Sequence, residues 1–171
     1  MAWGAYDPEQ GGWATRLRNH FESDENPPYF RKAVDVEVYN LGICGDTTAG
    51  VLRRIAGEAE SRRPEIILFA IGINDAQYLH AENGVRVSPD AFQRNLTHLL
   101  SAANMFTEKV IFVGLTRVDE TKTNPVSWNP EISYTNAYIS RLDAAIEKFC
   151  ADNRLSYIPI ADAISHEDLF D

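Results

Sequence analysis

A chain of 171 residues with 44% apolar side chains and a net charge of −9 has one domain's length and enough apolar material for a real core. Its acidic balance excludes nucleic acid and anionic membrane surfaces as expected partners. Two cysteines, Cys44 and Cys150, are too few for a disulfide framework, no apolar run approaches the roughly 18 residues that span a bilayer, and no basic-then-apolar signal segment opens the chain. The expected compartment is therefore the cytoplasm, with a signal peptide on a longer N-terminus left open.

Met1 to Gly12 reads as loop, and Trp13, Leu17 and Phe21 then fall on one helical face. Val34, Val36, Val38 and Tyr39 alternate as in a strand that ends at Asn40 to Thr48, NLGICGDTT. A helical run from Ala49 to Arg62 follows. In the loop between them, Gly42 and Gly45 allow a tight turn with uncovered N–H groups, and Thr47 or Thr48 is placed to cap the helix. The positive end of that helix favours an anion. Glu65 to Ile71, EIILFAI, has the continuous apolar character of a parallel strand buried on both faces, and it runs into Gly72-Ile73-Asn74-Asp75.

Ala76 to Val87 shows no clear periodicity. Ser88-Pro89-Asp90 reads as N-cap, N1 and N2 of a helix that reaches about Asn104, with Phe92, Leu96, Leu99 and Leu100 inward and His98 on the polar side. Lys109 to Leu115 is another buried-strand pattern. Val118 to Glu131 is a long loop carrying Trp128, and such loops are often functional. Ile132 to Asn153 has a helical apolar repeat, and Leu155 to Ile160 reads as a last strand, with Pro159 pointing to a sheet edge. Four strands alternating with helices predict an α/β fold, a three-layer α/β/α sandwich around a parallel sheet, in one domain over residues 1–171.

Ligands of open α/β sheets bind outside the carboxyl ends of the strands. The Gly45 N–H and the Asn74 amide are thus expected to converge on one oxygen as an oxyanion hole, with Asp46, Asp75 and Trp128 lining a substrate pocket. The histidines and carboxylates show no metal-ligand spacing, so neither a metal nor another cofactor is expected. The GDTTAG loop could instead hold a phosphate, but it has no Walker lysine and no G-x-G-x-x-G. Cys44 as a nucleophile is a further reading, and a small residue filling a tight loop explains it better.

Residues 40–47 match N-x-G/S-x-x-G-D-T and residues 72–75 match G-x-N-D. In these two blocks the chain resembles the SGNH, or GDSL, hydrolase family. The resemblance implies serine acyl transfer on a small-molecule ester, with Gly45 and Asn74 as two oxyanion donors and the serine's own N–H as the third. It also implies a flavodoxin-like strand order. WGAYDPEQGGW looks like the continuation of the family's G-D-S block, which would place the serine just before Met1 and leave the first strand out of this chain. At the other end, HEDLFD looks like the approach to the D-x-x-H block, with Asp171 as the triad aspartate and the histidine beyond it. A rival pairs Asp162 with His166, one residue too far apart for that block, and takes Thr47 as nucleophile.

On the first alignment the chain as written is inactive and marginal or aggregation-prone alone. A different class of reading is a non-catalytic α/β domain that binds an acyl or glycan ligand. Lysophospholipids, short acyl esters, acetylated sugars and thioesters all remain possible substrates. Oligomeric state is open.

Overall fold

The computed structural model describes residue 9, residues 11–22 and residues 36–163. They fall into two compact units, Met1–Gly45 and Asp46–Asp171. In the first, helix α1 spans Gly12–Glu22 with Ala14 buried, close to the expected bounds. The Arg18 guanidinium donates to the Val38 carbonyl at 2.8 Å and so ties α1 to the segment that follows. That segment differs from expectation: residues 36–43 form no strand, and Val36 and Tyr39 are exposed. Alternation alone does not make a strand, which also needs a regular ladder of hydrogen bonds with a neighbour.

The second unit begins with helix α2, Thr48–Arg62, and strand β1, Ile67–Phe69. A hairpin follows, β2 at Tyr78–Leu79 and β3 at Gly84–Val85, before helix α3, Pro89–Ala103. Strand β4 is Val110–Val113, α4 is one short turn at Glu120–Thr123, and β5 is Ile132–Ser133. Helix α5, Asn136–Asn153, and strand β6, Ser156–Ile158, complete it. The main sheet is parallel in the order β1-β4-β6, with Phe69 opposite Phe112 and Phe112 opposite Tyr157. Pro159 follows a strand at the edge of the described sheet.

Core formation follows the register. Phe69, Val110 and Phe112 point to one side and share a core with Ile55 of α2, Phe92, Leu96 and Leu99 of α3, and Ile139, Leu142 and Ile146 of α5. The Phe69 and Phe112 rings lie 5.0 Å apart. Ser88 caps α3 through its hydroxyl, which accepts from the Ala91 N–H, and Pro89 opens the helix as expected. In contrast to the expected double burial, Leu68 is 37% and Ile66 49% exposed. Position explains it: β1 is the last strand on its side of the described sheet.

The hairpin was not anticipated. With β5 it forms a small antiparallel sheet in the order β3-β2-β5, Tyr78 lying between Val85 and Ser133. Its turn ends in Asn83, at φ +49°, followed by Gly84, the asparagine–glycine pair that favours tight chain reversal. The expected long loop is tied down rather than free: Asn136 clamps both the N–H and the carbonyl of Val118, and Thr123 and Val126 are buried.

Burial on one side and exposure on the other make a stability contrast. Phe112→Ala is expected to cost about 3–5 kcal/mol and Leu68→Ala less than about 1 kcal/mol, measured as urea midpoints on the same preparation. Equal losses would contradict the one-sided core.

Candidate active site

The two polar motifs meet at one buried carboxylate. Gly72, at φ +129°, starts the turn over residues 73–76, a backbone region unfavourable for other residues. A side chain at position 72 would also press on Leu115 and Phe92, each 3.3 Å from a would-be Cβ. The turn points Asp75 inward, where it is fully buried. Both of its carboxylate oxygens accept from the Thr48 N–H at 3.1 Å, and the Thr48 hydroxyl donates to one of them. Asn95, on α3, donates in turn to the Thr48 hydroxyl at 2.8 Å. A negative group is thus held at the N-terminus of α2, where the helix dipole favours it.

Asp46 is committed as well. Its carboxylate accepts from the Thr47 N–H and from two nitrogens of Arg54, at 3.0 and 2.8 Å, while Arg54 also pairs with Glu58. The side chain lies over Gly50: a Cβ at that position would sit 1.6 Å from an Asp46 oxygen. Both acids are engaged by protein groups in this way. Both are absorbed by the start of α2.

Asn74 has a different environment. Its Oδ1 accepts from the Tyr134 hydroxyl at 2.9 Å, and its Nδ2 donates to the Asp46 carbonyl at 2.9 Å. Gln77, 5% exposed, donates through Nε2 to the same Tyr134 oxygen and accepts from Arg86 at 2.8 Å. Sequence reasoning missed Tyr134, Gln77 and Arg86, because contacts across 57 and 60 residues leave no local pattern. The one available signal was the asparagine–glycine hairpin that carries Gln77 and Arg86 to this place.

The other expected residues are placed as follows. Gly45 closes the first unit in a turn at φ +73° and is exposed. Thr47 is buried, and its hydroxyl caps α2 by accepting from the Gly50 N–H at 3.4 Å. Asp162 is 84% exposed and pairs with Arg117. His166 and Asp171 lie outside the described residues. Trp128 is 68% exposed. His80 contacts the Ser133 hydroxyl at 2.8 Å, and Ser133 is buried. Cys44 is an exposed free thiol and Cys150 a buried one. Among the described residues no three His, Cys, Asp or Glu side chains form a metal site, and no helix is long and apolar enough to cross a membrane.

Burial pushes the Asp75 carboxyl up to about 6 from an ordinary 3.8, against the hydrogen bonds from Thr48 and the charge of Arg86. Between those values the folded chain holds a proton that the unfolded chain has released. Its contribution to stability is therefore full below about pH 4 and lost as pH rises through 6. Asp75→Asn cannot ionise. The difference in urea midpoint between variant and native chain should move in the variant's favour from pH 4 to 6.5 and stay level above 7, and a difference that is constant throughout would rule this titration out.

Esterase TesA of Pseudomonas aeruginosa is 29% identical over 105 residues, covering 61% of this chain and 44% of TesA. A GDSL-like lipase from Bacteroides thetaiotaomicron superposes with a TM-score of 0.58 at 22% identity, over 74% of this chain and 58% of that one. An acetyl xylan esterase superposes at 0.70 and 17% identity, over 94% and 73%. The chain spans less than half the length of TesA and somewhat over half of the Bacteroides lipase. The structural likenesses show a shared α/β fold. The model of the GDSL-like lipase/acylhydrolase family matches residues 2–171, the two polar motifs among them, and the chain belongs to that family.

Proposed function

We propose that this chain carries the oxyanion-stabilising half of a serine esterase site, with Asn74 as a side-chain donor and Gly45 as a backbone donor. The observation that supports the reading best is the Asn74 amide, held at Oδ1 by Tyr134 and at Nδ2 by the Asp46 carbonyl within the family's own motif. A fixed amide costs little reorganisation when charge develops on a bound ester. In the mechanism assigned, a serine hydroxyl adds to the ester carbonyl while a histidine takes its proton. The carbonyl oxygen becomes the oxyanion that Asn74 and Gly45 receive, the alcohol leaves with the proton, and water then releases the acid. The serine and histidine are those of the family's first and last blocks, and Asp171 is the assigned triad aspartate.

Carboxylic esters are the substrate class assigned, in keeping with a relative named as an esterase and a neighbour named as an acetyl xylan esterase. Short acyl and acetyl-sugar esters are the first to try. The chain of residues 1–171 is expected to show little turnover by itself.

In the full-length protein, Asn74→Ala is expected to lower kcat on p-nitrophenyl acetate by on the order of 10²-fold or more, the usual effect of losing one oxyanion donor. An undiminished rate in a folded variant would remove Asn74 from the mechanism.

A further inference from the structure

An asparagine serves an oxyanion only if its NH2 end, rather than its carbonyl, faces the reacting oxygen. The two ends have nearly the same shape, so something must choose between them. The neighbourhood of Asn74 makes that choice through hydrogen-bond polarity. Arg86 has donors only, and its Nη1 takes Oε1 of Gln77 at 2.8 Å. With its carbonyl so engaged, Gln77 turns its NH2 group to the Tyr134 oxygen. The Tyr134 hydroxyl, accepting there, turns its proton to Asn74 Oδ1 at 2.9 Å. Asn74 is left with Nδ2 at the far end, where one N–H meets the Asp46 carbonyl at 2.9 Å. A flipped amide would instead set oxygen against oxygen at Asp46 and two donors against each other at Tyr134, leaving partly buried polar groups unpaired.

We propose that Tyr134 and Gln77 are positioning residues that fix the direction of the Asn74 amide, so that its second N–H is the one offered to the oxyanion. This rests on the reading of Asn74 as an oxyanion donor. The relay has a defined sign. Gln77→Glu keeps shape and size but can only accept from Tyr134, so the hydroxyl proton turns away from Asn74 and the amide keeps the Asp46 carbonyl as its one remaining orienting contact. Tyr134→Phe removes the link altogether.

The test is steady-state hydrolysis of p-nitrophenyl acetate by the full-length protein and its Asn74→Ala, Gln77→Glu and Tyr134→Phe variants, with circular dichroism to show that each is folded. We expect kcat to fall about 10²-fold in Gln77→Glu and at least about tenfold in Tyr134→Phe, with KM within about twofold of native. The double variant Asn74→Ala with Tyr134→Phe should be no slower than Asn74→Ala alone, because the tyrosine acts only through the asparagine. Native kcat in folded Gln77→Glu and Tyr134→Phe, beside a crippled Asn74→Ala, would overturn the proposal, as would additive losses in the double variant.

If Asn74→Ala itself is fully active, the esterase role of Asn74 fails and the relay is judged by a second readout. That readout is the scalar coupling across the hydrogen bond between Asn74 Nδ2 and the Asp46 carbonyl carbon, measured by NMR on the chain of residues 1–171. Its presence in the native chain and loss in both variants upholds the orientation. Its survival in both, or its absence from the native chain, refutes it.

Discussion

The contact between Asp75 and Thr48 is the joint on which the rest of the second unit's polar architecture turns. A carboxylate taken wholly out of water is expensive to keep ionised, and here it is supported by a helix N-terminus and three hydrogen bonds from a single residue. That support works only if the turn after β1 and the first residue of α2 stay in register. Asn95 reaches the same Thr48 hydroxyl from α3, so the helix layer and the sheet's carboxyl edge are located by one cluster. Asn74 is the residue immediately before the anchored one. Its position is a by-product of where Asp75 must be.

Two kinds of polar residue thus share the motifs. Asp46, Asp75, Thr47 and Thr48 are turned inward or along the backbone and hold the loops in shape. Asn74 alone in the second motif has its side chain stretched between another loop's carbonyl and a tyrosine from the small antiparallel sheet. That sheet has only two-residue strands, yet it carries Gln77 in and delivers Tyr134 at its end. Its contribution to the fold is slight, and its contribution to the site is the placement of those two residues.

Much of this was legible in the sequence wherever a local rule applied. Ser88-Pro89-Asp90 announced α3, the run Lys109 to Leu115 announced β4, and Pro159 announced the edge at β6. The motif loops were found because glycine, threonine and asparagine at fixed separations have few structural uses. Where the reading failed, a neighbour rather than a local preference decided. Residues 36–40 alternate like a strand but are not one, and Arg18 of α1 takes the Val38 carbonyl. The run from Glu65 is apolar on both faces but sits at the edge of the described sheet, and Leu68 and Ile66 meet solvent. The partners of Asp46 and Asp75, Arg54 and Thr48, could be known only once the loops were folded.

The approach of Asp46 to Gly50 also sets a limit on how this helix can be improved. Exchanging a mid-helix glycine for alanine is a common route to a firmer helix, worth about 1 kcal/mol where space allows. Helix α2 has two such positions. Gly57 has open space around its would-be Cβ and accepts the exchange on steric grounds; Gly50 has a carboxylate 1.6 Å away and does not. The glycine at 50 is therefore part of the motif in all but name: D-x-x-x-G, one helical turn long, is what lets an acid lie flat on the first turn and leave its own carbonyl free to receive Asn74.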